Sequence, residues 1–400
     1  MSLNNTPSAE RIHIAFFGRR NAGKSSIMNA VTGQDIAIVS DIRGTTTDPV
    51  SKAMELLPIG PVMVIDTPGI DDDGELGKLR IKKSYQVLNK TDTAVVIIDS
   101  VIGITETDNM LLEKIKEKGI PFIIVYNKAD LSGLEKRSEN EISVSAATGA
   151  NIRELKEMIA GMAVKEENRK TIISHFLGKN DIAVLVVPID SSAPKGRLIL
   201  PQQQTIRDIL DHNCIAMVTQ PEELAKTLCS LSEKPAIVIT DSQAFARVNK
   251  ETPGDIPLTS FSILFANYKG NLKEAVKGAK AIDDLEDGDK VLISEGCTHH
   301  RQCGDIGTVK LPAMLEKYTG KKLNYSWTSG TEFPDELEKY SLIIHCGGCM
   351  LNEREMKYRL KCAQDEGVPM TNYGTSLAYM NGILKRSLGI FPELSEIINN

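Results

Sequence analysis

The stretch Ile12-His13-Ile14-Ala15-Phe16-Phe17-Gly18-Arg19-Arg20-Asn21-Ala22-Gly23-Lys24-Ser25-Ser26 decides how the first half of the chain is read. It passes from an apolar, strand-like run through a glycine-bounded loop into SSIMNAVTG, a helix-like segment. Gly18 to Ser25 satisfies G-x-x-x-x-G-K-S in the strand–loop–helix setting that this motif requires. Glycines let backbone N–H groups curl around phosphate oxygens, and the helix start adds the positive end of its dipole. Lys24 is expected at the β- and γ-phosphates, and the Ser25 hydroxyl at a Mg²⁺ ion. Asn21, Ala22, Gly23 and Ser26 complete the expected nucleotide contacts.

Four further elements follow in order. Asp66-Thr67-Pro68-Gly69 ends an apolar strand. Asp66 can hold the Mg²⁺ shell through water, and the Gly69 N–H can sense the γ-phosphate. Asn127-Lys128-Ala129-Asp130 ends the next strand but one, and the Asp130 carboxylate can accept from guanine N1–H and its 2-amino group. Adenine offers no such pair, and losing it would cost roughly several kcal/mol. Ser145-Ala146 supplies a backbone N–H for the guanine carbonyl. Between the first two motifs, Arg43-Gly44-Thr45-Thr46-Thr47-Asp48 is a polar loop with a threonine suited to Mg²⁺. One such loop implies a nucleotide; the ordered set implies GTP.

The segment resembles the TrmE–Era–EngA-like GTPases over about residues 11–165, through GRRNAGKSS and GTTTD. The resemblance implies a K⁺ ion on Asn21 where other GTPases use an arginine finger, and Thr46 as the Mg²⁺ ligand. Thr47 stands where that family usually has arginine. Lys24, Thr46, Asp66 and Gly69 are the expected catalytic set. Ile70 occupies the place of a water-orienting glutamine, so hydrolysis is expected to be slow unless Asp71, Asp72, Asp73, Glu75 or a partner assists.

The remainder also alternates strands and helices, which gives an α/β chain of three units: 1–168, a P-loop domain with a parallel sheet, then 169–268 and 269–400 as two smaller α/β domains. DIAVLVVPID, CIAMVT, PAIVITD and SFSILFANY are read as strands of the second unit; KVLISEG, KLNYSWT, SLIIHCG and VPMTNYG as strands of the third. Of the 400 residues 41% are hydrophobic and 25% charged, which excludes a mostly disordered chain. No apolar run is long enough for a membrane span and no signal peptide is read, so a cytoplasmic protein is expected. Counted over 1–170, 171–268 and 269–400, the net charge of −6 divides equally at −2 each, and none of these segments is a basic module. Nucleic acid is therefore a disfavoured partner.

All seven cysteines lie after residue 213. Their odd number, with no export signal, favours reduced thiols over a disulfide framework. Cys297-Thr298-His299 follows KVLISEG, and His345-Cys346-Gly347-Gly348-Cys349 ends SLIIHCGG. Both groups sit at carboxyl ends of strands, where open parallel sheets gather ligands. Two cysteines of the C-G-G-C loop can reach one centre, with the glycines freeing N–H groups to face the sulfurs. Such thiolates select Zn²⁺ or an iron–sulfur cluster, and a thioredoxin-like redox pair stays open as well. Glu295 and Asp305 read as exposed carboxylates. Cys303 and His300 have no motif role, and Cys214, Cys229, Cys362 and Trp327 read as core.

The paired C-x-H and H-C-x-x-C, behind a GTPase-like domain, resemble the HydF family of [FeFe]-hydrogenase maturation GTPases over the whole chain. This implies a [4Fe-4S] cluster on Cys297, Cys346 and Cys349, with His299 or His345 as candidate fourth ligands. It implies a homodimer formed through the middle domain. It also implies a transient diiron subcluster accepted from the radical-SAM maturases HydE and HydG and passed to apo-[FeFe]-hydrogenase. Three protein ligands leave one iron open to an exogenous group, as a carrier requires. An RNA-associated GTPase, and a GTPase with a structural zinc domain, remain the alternatives.

Overall fold

The computed structural model describes residues 8–33, 49–57, 59–70, 81, 83–164, 171–189, 198–296, 306–330, 332–334, 336–348 and 351–399. The chain divides into two compact units, Met1–Asn168 and Arg169–Asn400.

The first unit is built on a six-stranded sheet of order β2-β3-β1-β4-β5-β6. Its strands are β1 Ile12–Gly18, β2 Val50–Leu56, β3 Gly60–Asp66, β4 Thr93–Asp99, β5 Phe122–Asn127 and β6 Glu141–Ser143. The four parallel pairings are made by near-continuous apolar runs: β4 is buried at every position. Such strands suit a parallel sheet covered on both faces. Helices α1 (Lys24–Thr32) and α3 (Ile152–Val164) cover one face, over a core that includes Phe16, Val95 and Leu155. Helix α2 (Glu106–Glu117) covers the other, over Phe17, Val96 and Leu111. Strand β2 has no counterpart among the strands expected from sequence. It pairs antiparallel with β3 at the sheet edge, and its exposed Ser51, Lys52 and Ala53 hide the apolar signal.

The second unit holds two four-stranded sheets, ordered β10-β9-β7-β8 and β12-β11-β13-β14, with every pairing parallel. The strands are β7 Ile182–Val186, β8 Ile215–Thr219, β9 Ile237–Thr240 and β10 Leu258–Ser260, then β11 Lys290–Glu295, β12 Asn324–Ser329, β13 Leu342–His345 and β14 Met370–Asn372. The connecting helices include α4 Leu200–Asp211, α5 Leu224–Ser230, α6 Phe245–Glu251, α7 Phe261–Tyr268, α8 Leu272–Lys280, α9 Leu311–Thr319, α10 Glu353–Asp365, α11 Tyr373–Met380 and α12 Pro392–Asn399.

The run SFSILFANY corrects the sequence reading. It is not a strand but helix α7, N-capped by Ser260, whose Oγ accepts the Ile263 N–H at 3.3 Å. Five of its eight residues are buried, so an all-round apolar helix and a buried strand carry the same pattern.

The middle sheet does not complete its core from its own segment. Ala378, Leu384, Leu388, Phe391 and Leu394 pack into the same cluster as Val184, Ile239 and Phe265. Arg386 fastens this return, donating to the carbonyls of Asn249, Thr252 and Pro253 and to Asn249 Oδ1. Segments 169–268 and 269–400 therefore share buried surface.

Candidate nucleotide and metal sites

At the end of β1 the chain leaves the sheet through Gly18 and turns into α1. Gly23 precedes α1 with φ +91°, and a Cβ there would stand 2.2 Å from Asn127 Nδ2. Only glycine lets the loop pass that close. Asn127 Nδ2 donates to the Ala22 carbonyl at 3.0 Å, while Asn127 Oδ1 accepts the Ala146 N–H at 3.1 Å. One buried amide thus ties the phosphate loop to both loops expected to hold the base.

These loops enclose a cavity of about 640 Å³. Asn21, Gly23, Lys24, Ser25 and Ser26 line one side; Asn127, Lys128, Asp130, Ser145, Ala146 and Ala147 line the other. Gly18 and Ala22 support the loop without lining the cavity. Asn21 sits at φ 62° and Lys128 at φ 64°, left-handed conformations that a non-glycine residue keeps only where the surroundings hold it. Lys128 Nζ reaches Asp99 Oδ2 at 2.6 Å. Burial pushes Asp99 up, but the Lys128 hydrogen bond and charge outweigh it and hold the carboxyl below its usual range. Asp130 is exposed at the cavity, where its carboxylate can meet a base. The N–H groups of Ser145 and Ala146, expected at a guanine carbonyl, are engaged with Ala150 O and Asn127 Oδ1.

Lys24 Nζ donates to the carbonyls of Gly18 and Arg19 at 2.9 and 2.8 Å. Ser25 Oγ donates to Asp66 Oδ2 at 3.1 Å, and Asp66 Oδ1 is buried with no hydrogen-bond partner. Burial raises the Asp66 pKa, against the charge of Lys24 and the Ser25 hydrogen bond. A buried carboxylate oxygen left over beside a serine hydroxyl is the donor set that a hard divalent cation takes. Thr67 Oγ1 fastens this turn by donating to Phe16 O at 2.7 Å. Ile70 is 1% exposed and packs in the core with Phe17 and Ile65. Its side chain is core material and cannot orient a water. Thr46 and the rest of 43–48 lie outside the described residues, as do Asp71, Asp72, Asp73 and Glu75.

In the second unit, β11 and β13 are neighbours, with Ser294 opposite His345. The topology brings the carboxyl ends that lead into both cysteine motifs to one edge. Cys346 Sγ accepts the Gly296 N–H at 3.0 Å and the Gly348 N–H at 3.4 Å. Gly348 has φ +60°, and a Cβ there would meet Met356 Sδ at 2.7 Å. N–H groups aimed at a sulfur favour its thiolate form. Cys297, His299, His300, Cys303, Asp305 and Cys349 lie outside the described residues. Among the described residues no group of three His, Cys, Asp or Glu side chains could hold a metal.

His345 is fully buried, and the geometry corrects its reading as a candidate ligand. Nε2 lies 3.0 Å from Arg359 Nη1 and Nδ1 lies 2.7 Å from Cys346 O. Arginine only donates, so Nε2 accepts and Nδ1 carries the proton to the carbonyl. Neither nitrogen retains a lone pair for iron. Burial, then the charge of Arg359, pushes the imidazole pKa down to about 3, so the ring is neutral.

Three other expectations change. Glu295 is buried and accepts from the Tyr373 hydroxyl at 3.1 Å rather than facing solvent. Cys229 is exposed, unlike the buried Cys214 and half-buried Cys362. Trp327 is 40% exposed and donates to Gly307 O. Arg359 was not signalled at all: a buried arginine looks in sequence like any other helix cation.

Family models match the three parts of the chain in order. Residues 13–128 match a 50S ribosome-binding GTPase model. Residues 172–270 match the hydrogen maturase F dimerization domain, and residues 273–390 its tetramerization domain. The chain belongs to the hydrogen maturase F family. Its GTPase part is similar to the tRNA modification GTPase MnmE of Chromobacterium violaceum, 41% identical over 125 residues, covering 31% of this chain and 27% of that protein. MnmE of Aquifex aeolicus is 38% identical over 155 residues, 38% of this chain and 34% of that protein. The chain thus spans about a third or less of the length of these curated relatives. Among solved structures, a probable GTP-binding protein engB aligns with 38% of this chain and 98% of its own at 22% identity, with a TM-score of 0.31. In hydrogen maturase F terms, the first unit carries the GTPase domain and the second the family's two assembly domains. No described helix is long and apolar enough to cross a membrane.

Proposed function

We propose that this chain hydrolyses GTP and carries a [4Fe-4S] cluster on Cys297, Cys346 and Cys349, acting as a scaffold that delivers a diiron precursor to apo-[FeFe]-hydrogenase in the cytoplasm. The observation that carries this reading is the Gly296 N–H on Cys346 Sγ. It brings the residue preceding Cys297 against the first sulfur of the C-G-G-C loop. The family's dimerization and tetramerization domains support an oligomer, with HydE, HydG and the hydrogenase as exchanging partners. The tRNA-modifying role of the MnmE relatives is not carried over, because the likeness spans so little of their length.

The GTPase residues have definable tasks. Asp130 reads the guanine edge, and Asn127 keeps the base loops and the phosphate loop in register. Lys24 exchanges the two loop carbonyls it now holds for β- and γ-phosphate oxygens, which carry more charge in the transition state. Ser25 and Thr46, with Asp66 through water, would hold a Mg²⁺ ion, which would supply charge neutralisation on those phosphates. Asn21 is the proposed K⁺ ligand, and the Gly69 N–H the γ-phosphate sensor. Cys346 would ligate through the sulfur that its two N–H donors orient.

The test is anaerobic reconstitution with iron and sulfide, with EPR of the reduced protein and GTPase rates measured in K⁺ and in Na⁺. A paramagnetic cluster signal that Cys346→Ala removes, and faster turnover in K⁺, are expected. One equivalent of zinc and no cluster signal would sink the carrier reading, and equal rates in the two salts would remove the role of Asn21.

A further inference from the structure

Arg359, on α10, has no exposed surface at all. A buried guanidinium is costly unless every donor is used. Here Nε donates to Glu355 Oε1 at 3.0 Å, one helical turn back. Nη1 donates to Ser294 Oγ at 3.2 Å and to His345 Nε2 at 3.0 Å, and Nη2 to Gly330 O at 2.7 Å. The planar group stacks 5.2 Å from the Phe333 ring centre. Pairing with Glu355 needs only one edge of the fork. The other donors reach three different places: the end of β11, the end of β13, and the residue after β12. Those are three adjacent strands of one sheet, tied at the level where the cysteine motifs begin.

The consequence passes along bonds. With Nε2 of His345 accepting from arginine, Nδ1 must donate to Cys346 O, which fixes the backbone from which the Cys346 sulfur projects. Lys269 holds the same loop from another element, donating to the carbonyls of Gly348 and Leu351. Two buried cations thus bear on the C-G-G-C loop, Lys269 and the Arg359 that Glu355 partly balances. A cluster on three thiolates carries one net negative charge when oxidised and two when reduced, so nearby fixed positive charge favours the reduced form.

We infer that Arg359 is a positioning residue for the metal centre on the cysteine loop: it fixes the His345 ring that holds Cys346, and its buried charge raises the centre's reduction potential. This rests on the cluster reading above and goes beyond its ligands.

The test is a dithionite-mediated redox titration of the reconstituted full chain, followed by EPR. Arg359→Gln is expected to lower the potential by a tenfold or larger shift in the one-electron equilibrium, or about 59 mV. Arg359→Lys, which keeps the charge without the fork, should recover most of that shift. Glu355→Gln, which leaves the guanidinium and removes its counter-charge, should move the potential the opposite way, and it reads the same electrostatics should Arg359→Gln fold poorly. Wild-type protein that takes up no cluster overturns the cluster reading together with this inference. A cluster in every variant with unchanged potentials overturns this inference alone. In the apo protein, ¹⁵N NMR should show His345 protonated at Nδ1; an Nε2 proton there overturns the positioning role.

Discussion

At the scale of single residues, the GTPase site holds an electrostatic tension at Asp66. Burial raises its pKa although Lys24 and Ser25 oppose the shift, and one carboxylate oxygen has no partner. For an acid whose folded pKa is raised, ionisation opposes folding, so stability falls as pH rises from the unfolded value through the folded one. Asp66→Asn removes that opposition. In metal-free protein at neutral pH it should add stability on the order of 1 kcal/mol, read as a higher thermal midpoint. The same change should lower GTP turnover at least ~100-fold, because the cation loses its anionic anchor. A variant that is both less stable without metal and fully active would contradict this account.

The residue scale is also where sequence legibility divides. The phosphate loop, Asn127 and Asp130 were legible because phosphate and guanine impose fixed residue types at fixed spacing. Arg359 and the orientation of His345 were not, because both depend on which strand ends become neighbours. Glu295 departs from its expected exposure for the same reason: charge predicts exposure until a hydroxyl such as that of the half-buried Tyr373 meets it.

At the scale of elements, parallel strands announced themselves through continuous apolar runs, as in β4 and β7. Their weakness is that a short all-apolar helix looks the same. Helix α7 follows β10 with no intervening loop, and Ser260 serves both as the last strand residue and as the N-cap. Ser260→Ala should therefore cost about 1 kcal/mol in a urea melt of the full chain, the usual value of a lost cap. Ser260→Asp, which keeps a cap acceptor, should retain more stability than the alanine variant. Equal losses from both would point to packing rather than capping. Strand β2 escaped notice for the opposite reason. An edge strand buries little, so most of its side chains face water and carry no periodic signal.

At the scale of the whole molecule, the first unit closes its cores from its own segment, whereas the middle sheet needs residues far downstream. Residues 1–168 expressed alone should fold and bind GTP, detected by a fluorescent guanine nucleotide. A fragment covering 169–271 should behave as an expanded chain by circular dichroism and size exclusion, because the partners of Val184 and Phe265 on the returning segment are missing. A folded 169–271 fragment would show that the shared core is dispensable. No composition or motif signals such sharing; only packing across more than a hundred intervening residues reveals it.

The fastening of Arg386 on Asn249, Thr252 and Pro253 also imposes an order on biosynthesis. At about 5–20 residues per second, the ribosome emits Arg386 on the order of ten seconds after β10. For that interval the nascent middle sheet has an open apolar face, while the GTPase domain has long been able to close. Until the returning segment has emerged, that open face is the part of the nascent chain most exposed to non-native association.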